Sequence, residues 1–138
     1  RGGDELNIIE QAKNYGWPAI TYGIDYSGLR ISPYPSHEGM EQPLEYWDPS
    51  FGPSGMTVYR GRAFPAWDGD IFITSLIFNH VVRVEMDGRV SGSQQILFDE
   101  IGERLRDIRT GPDGALYILS EGTGAGDGRV WRVRATNR

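Results

Sequence analysis

An all-β fold assembled from repeated short units is what this 138-residue sequence predicts, on three observations. Nineteen glycines and 8 prolines are spread along the chain and cut it into segments too brief for ordinary helices. The segments between them are rich in β-branched and aromatic residues and are bounded by turn formers. The chain also repeats itself. "GDIFITS", starting at Gly69, realigns with "GALYILS", starting at Gly114, an offset of 45 residues, and "VVRV" at 81–84 then realigns with "VWRV" at 130–133. A period of roughly 40 to 50 residues carrying four short strands is the signature of β-propeller blades, because one such sheet cannot bury both its faces and must stack on neighbours.

The elements follow in order. Residues 1–53, with Pro18, Pro33, Pro35, Pro43 and Pro49, read as loops with room for a short hairpin leading into the first blade. Residues 54–102 form that blade, with strands at 56–60, 71–76, 81–86 and 95–98 and a single helical turn over 99–102. Residues 103–138 supply strands at 104–109, 116–120 and 130–134 and then stop, so the second blade lacks an outer strand. The expected architecture is about two blades of a larger propeller. Closed propellers often complete their last blade with a strand from the start of the chain, so the deficit predicts an absent N-terminal portion. The missing initiator methionine and the abrupt opening at Arg1-Gly2-Gly3 point the same way.

Composition narrows the function. With 14 basic and 19 acidic residues the net charge is -5, which provides no global positive field for nucleic acid or an anionic membrane. No apolar run approaches the roughly 20 residues of a bilayer span. The 38% hydrophobic content suits a packed core, and the absence of cysteine removes disulfides and thiolate metal sites.

Among residues able to carry chemistry, Arg104 and Arg106 stand out, because alternate residues of a strand share a face and the innermost strand of a blade lines the central channel. Two guanidiniums there form a fork for carboxylates or phosphates. The same spacing also suits ion pairs with Asp99, Glu103 or Asp107 on a solvated edge. Asp4 and Glu5 offer hard oxygen ligands beside a glycine-rich turn, which calcium could use, or they form a solvated acidic pair. Tyr15, Trp17, Tyr22 and Tyr26 could cluster to stack a flat ligand or to pack between loops. "EGTGAGDGRV" fails the phosphate-loop spacing, since Asp127 takes the last glycine position and a strand follows, so it reads as a hairpin connection. His37 and His80 are far apart in sequence, accompany no nucleophile motif and read as surface residues.

With "GGDELNIIEQAKNYGWP", "YWDPSFGPSGMTVY", "FPAWDGDIFITSL" and "RLRDIRTGPDGALYIL" in order along it, the sequence resembles the soluble aldose sugar dehydrogenases of the glucose/sorbosone dehydrogenase family, which use pyrroloquinoline quinone (PQQ). The resemblance covers almost the whole chain. It implies the last third of a six-bladed propeller that oxidises an aldose at its anomeric carbon to the lactone, passing a hydride to a quinone polarised by calcium. It implies a periplasmic or secreted protein with a small sugar as substrate. By the same resemblance Arg104 and Arg106 contact the cofactor, whose three carboxylates explain a double guanidinium, and Trp47 and Ser50 lie near it. Glu5, the backbone at Tyr15, and Asp25 match positions that bind structural calcium in some relatives.

Two departures qualify the match. Ile77 stands where relatives carry a cofactor-contacting lysine. The family's general base is a histidine of an earlier blade, and the Gly-Pro carbonyls that hold the cofactor calcium precede the point matching Arg1, so no catalytic residue is assigned and the chain alone is expected to be inactive. One rival expectation is a non-enzymatic propeller module that binds a ligand or self-associates through exposed blade edges, three copies of a two-blade unit closing a ring. A hydrolytic propeller would need a carboxylate cluster around a channel metal, and the inner-strand segments supply only Asp107.

Overall fold

The structure, a computed structural model, describes residues 1–135. The chain divides into two compact units, Arg1–Phe51 and the part that begins at Gly52. In the first unit β1 (Asp4–Leu6) pairs antiparallel with β2 (Glu45–Trp47), with Glu5 opposite Tyr46. The long segment between them carries one isolated bridge, Ile24 to Arg30, around a turn at Asp25. The hairpin expected in this region is therefore a pair of strands distant in sequence. Gly3 shows why its "GG" is needed: it has a φ of +69°, and a Cβ there would meet the Gly23 Cα at 2.8 Å.

The second unit holds two sheets. β3 (Pro53–Val58), β4 (Ile71–Ser75), β5 (Val81–Asp87) and β6 (Val90–Leu97) form a four-stranded antiparallel meander. β7 (Leu105–Thr110), β8 (Leu116–Ser120) and β9 (Arg129–Val133) form a three-stranded one, the last blade lacking its fourth strand among the described residues. With no α-helix among those residues, the chain is an all-β partial propeller of two blades. The expected helical turn is present as a 3-10 turn at Asp99–Ile101, and a second one at Pro65–Trp67 had no periodic signal to announce it.

Strand bounds shift where pattern and pairing disagree. β3 begins at Pro53, three residues before the expected 56, and the added residues pair with the polar Ser75 and Thr74 of β4. β6 begins at Val90 instead of 95, because an outer strand pairs on one edge only and needs no alternation of apolar residues, as "VSGSQQIL" illustrates. β4 is buried along its whole length, which accounts for its unbroken run "IFITS".

Packing joins the blades. Phe72 and Val81 of the first sheet meet Leu105, Ile108, Leu116 and Ile118 of the second in one buried cluster with Tyr59. Tyr59 donates its hydroxyl to the Gly114 carbonyl at 2.7 Å and accepts the Phe64 N–H at 3.1 Å, so its polar tip is satisfied inside the core. Both inner strands carry a one-residue bulge, at Ser54 in β3 and Arg106 in β7. The second bulge has a visible cause. Leu105 and Ile108 are three residues apart and would face opposite sides of a regular strand, yet both are fully buried, and the extra residue brings them to the same face.

The repeat seen in sequence is a repeat in space. Phe72 lies opposite Arg83, and the matching Tyr117 lies opposite Arg132. In each blade that arginine pairs with an aspartate near the entry to the second strand: Arg83 to Asp70 at 2.6 Å and Arg132 to Asp113 at 2.6 Å. Their surroundings differ. Phe72, Val81, Arg83 and Asp70 are buried on the face turned to the second blade, whereas Val130, which matches Val81, is 68% exposed on the corresponding face of the last sheet.

Candidate functional site

The strongest cluster of the second unit lies at the end where β3 and β7 begin and β4 and β8 finish. Ser54 ties the two inner strands there, donating to the Leu105 carbonyl at 2.7 Å and sitting 2.9 Å from the Thr74 hydroxyl. Arg104 immediately precedes β7 and Arg106 is its bulged residue. Both guanidiniums reach one carboxylate oxygen, Oε2 of Glu121, from Arg104 Nε at 3.5 Å and Arg106 Nη2 at 2.9 Å. All three side chains are about half exposed.

This partner corrects the ion pairs considered from sequence. Glu103 is 5% exposed and instead accepts hydrogen bonds from the Ser120 hydroxyl and from Arg129 Nη1, while Trp131 Nε1 donates to the same Ser120 Oγ at 2.9 Å. Asp107 pairs with Arg109 at 3.0 Å. Glu121 is opposite Arg104 because its N–H donates to the Arg104 carbonyl at 2.9 Å, one step beyond the Leu105 and Ser120 pair. Without the bulge the ladder would set residue 121 against residue 105, so sequence spacing alone could not find it.

The first unit gathers part of its expected set. Glu5 and Tyr15 line one cleft of about 250 Å³ together with the backbone of Gly2, Gly3 and Gly23. Glu5 Oε2 accepts from Asn7 Nδ2 at 3.1 Å, and the buried Oδ1 of Asn7 has no hydrogen-bond partner. Asp25 does not line the cleft. It caps its own turn, accepting the Ser27 N–H at 2.8 Å, and the hydrogen bonds from Ser27 hold its carboxyl below the ordinary aspartate range. Among the described residues no three or more His, Asp or Glu side chains converge as a metal-binding group. Ser50 donates its hydroxyl to Asp4 Oδ2 at 2.6 Å, and Trp47 meets Phe51 edge-on with centroids 4.8 Å apart. The four aromatics expected to cluster are dispersed in their pairings: Tyr22 stacks on Tyr46 at 3.9 Å, Tyr15 donates to the Ile8 carbonyl at 2.8 Å, and Trp17 and Tyr26 are exposed.

The profile of the family described as Glucose / Sorbosone dehydrogenase matches residues 1–132. The chain belongs to that family. Over 125 residues it is 46% identical to the aldose sugar dehydrogenase YliI of Escherichia coli (strain K12), a match covering 88% of this chain and 33% of that protein. A crystal structure of a glucose dehydrogenase superposes with a TM-score of 0.90 at 44% identity, covering 99% of this chain and 39% of the other. The PQQ-bound form of an aldose sugar dehydrogenase from Streptomyces coelicolor, 21% identical, shares the fold with a TM-score of 0.66 over 95% of this chain and 36% of that one. The chain spans about a third of the length of the relatives it matches.

In this glucose/sorbosone dehydrogenase family member, Ile77 follows the end of β4 at the same end of the sheets as the arginines and is 56% exposed. It adds an apolar, chargeless surface there. His80 stacks on Phe78 with centroids 5.8 Å apart, and burial pushes its imidazole below the ordinary histidine range. On the last sheet Arg132 and Tyr117 both bond Asp113 Oδ2, at 2.9 Å from Arg132 Nε and 3.0 Å from the tyrosine hydroxyl. Hydrogen bonding by Arg132 is the main reason that the Asp113 carboxyl falls to about 2. Its folded value is below its unfolded one, so its stabilising effect is complete above about pH 4 and is lost as pH falls toward 2. A carbon-13 carboxyl titration is expected to place the Asp113 midpoint near 2, and Arg132→Gln to raise it toward, but not fully to, the ordinary aspartate range, because the Ala115 N–H and the Tyr117 hydroxyl still donate to it.

Proposed function

We propose that the chain forms the cofactor-clamping part of a PQQ-dependent dehydrogenase that oxidises an aldose to its lactone, in the periplasm or outside the cell. The observation that supports this reading above all is the convergence of Arg104 and Arg106 on one carboxylate oxygen. Their donor chemistry suits a ligand with several carboxylates, because each guanidinium presents five N–H groups and only part of that capacity faces Glu121. Arg104 and Arg106 would hold the carboxylates of PQQ and fix its orientation, while Trp47 and Ser50 remain cofactor candidates on the family resemblance alone. Bound PQQ supplies the hydride acceptor for the anomeric carbon of the sugar. The proton acceptor for the sugar hydroxyl is not among the residues assigned here, and His37 and His80 are not given that role. The test is equilibrium dialysis of PQQ against the full-length protein and an Arg104→Ala/Arg106→Ala variant, with undiminished affinity in the variant overturning the reading.

Calcium would draw on Glu5 and the Tyr15 backbone, with the unpartnered Asn7 Oδ1 as a neighbouring acceptor. That set is short of the six to eight oxygens calcium prefers, and Asp25 is held in its own turn, so no step of the chemistry is routed through the ion. Calcium is expected to raise the melting temperature of the protein and chelation to reverse the gain. An equal gain in Glu5→Gln would remove Glu5 from the site.

A second reading, a module that self-associates, is favoured by apolar side chains left open on the sheets: Met56, Val58 and Ile96 on the first and Leu119 and Val130 on the last. Sedimentation of the chain distinguishes it, since a strictly monomeric folded species removes this option.

A further inference from the structure

We infer that Glu121 is a resident counter-anion that occupies the place a ligand carboxylate must take on the arginine fork, making the site selective for polycarboxylates. The inference rests on the clamp reading above and deepens it. Glu121 Oε2 is a point shared by the two guanidiniums, at 3.5 Å from Arg104 Nε and 2.9 Å from Arg106 Nη2. A ligand carboxylate that bridges both arginines needs that same point, and two acceptor-only carboxylates cannot share those N–H groups.

The geometry favours displacement over permanent coordination. Glu121 is 41% exposed and the arginines 54% and 47% exposed, which makes these ion pairs weak and quick to rearrange. The residue itself stays in place because its N–H is held by the Arg104 carbonyl, so only the side chain needs to swing aside. An anion with one carboxylate merely exchanges for Glu121 and gains little. A ligand carrying several carboxylates can displace it and still engage the remaining donors of both guanidiniums, and so distinguishes itself from simple carboxylates. Glu121 is thus a specificity-determining residue and takes no part in bond making.

Equilibrium dialysis of PQQ at fixed ionic strength, with acetate as a competitor, tests this in the full-length protein. Glu121→Gln keeps the size and removes the charge, and the loss of one like-charge repulsion at close range is expected to tighten PQQ binding about fivefold. The same variant is expected to become more sensitive to acetate. Glu121→Asp, which retracts the carboxylate by one methylene, is expected to fall between the two and guards against an unforeseen folding defect in the first variant. Unchanged or weaker PQQ binding in Glu121→Gln, while Arg104→Ala/Arg106→Ala still impairs it, overturns this inference alone. Normal PQQ affinity in the arginine double variant overturns both the inference and the clamp reading beneath it.

Discussion

Asp70→Ala is expected to destabilise the protein by about 3–5 kcal/mol, the range for removing one partner of a buried ion pair. The carboxylate is the centre of a hydrogen-bonded network. Asp70 Oδ2 accepts from Arg83 Nε at 2.7 Å and Asp70 Oδ1 accepts the Met86 N–H at 2.9 Å. The Arg83 guanidinium also bonds Gln95 Oε1 at 2.6 Å and lies 5.7 Å from the centre of the Trp67 ring. The side chains of Arg83 and Asp70 are 9% and 7% exposed, so the pair is largely withdrawn from water. Truncation orphans the Met86 N–H and leaves Arg83 with only the half-exposed Glu85, 3.3 Å from Nη1, as a carboxylate partner. Chemical denaturation measures the loss, and the double variant Asp70→Leu/Arg83→Met is expected to recover most of it, because removing both charges together removes the desolvation problem. A loss below about 1 kcal/mol in Asp70→Ala would mean that the network is wet or loosely held. The corresponding Asp113 and Arg132 pair is more exposed, and its removal is expected to matter far less.

The Arg104→Ala/Arg106→Ala variant is expected to bind PQQ roughly a hundredfold more weakly. Hydrogen bonds to charged groups contribute about 1.5–3 kcal/mol each. The lower end applies, since both guanidiniums are about half exposed, and two such losses make about 3 kcal/mol, or close to two decades in Kd. Arg104→Lys/Arg106→Lys separates charge from shape. Lysine keeps the positive field but not the planar fork, so this variant is expected to recover only part of the affinity. Full recovery would mean that the site attracts anions by charge alone, and the bidentate geometry would be irrelevant.

Much of the fold was legible because its signals are local. Turn residues bracket each strand, and "GDIFITS" and "GALYILS" place the second strand of each blade at a constant offset. β8 was readable to the residue, being bounded by the turn at 111–114 on one side and by Glu121 and Gly122 on the other. β6 was half missed, since a solvent-facing edge strand leaves no apolar alternation to read. In the first unit, the partner of β1 lies about 40 residues away, and no short-range pattern could name it.

The arginines show the same division within a single site. Their alternate spacing indicated a shared direction, and Glu121 as their meeting point depended on the bulge that displaces the β7 ladder by one residue. That bulge is a tertiary decision, made so that Leu105 and Ile108 can both enter the core between the blades.

Residue order by itself determined most of the strands, the two-blade repeat and the paired guanidiniums. Stacking alone decided what each repeated position became. Val81 is fully buried and Val130 is 68% exposed, and the Asp70 and Arg83 pair is buried while Asp113 and Arg132 are far more open. The reason is physical: a sheet fixes which face a side chain points to, but only a neighbouring sheet laid over that face removes it from water.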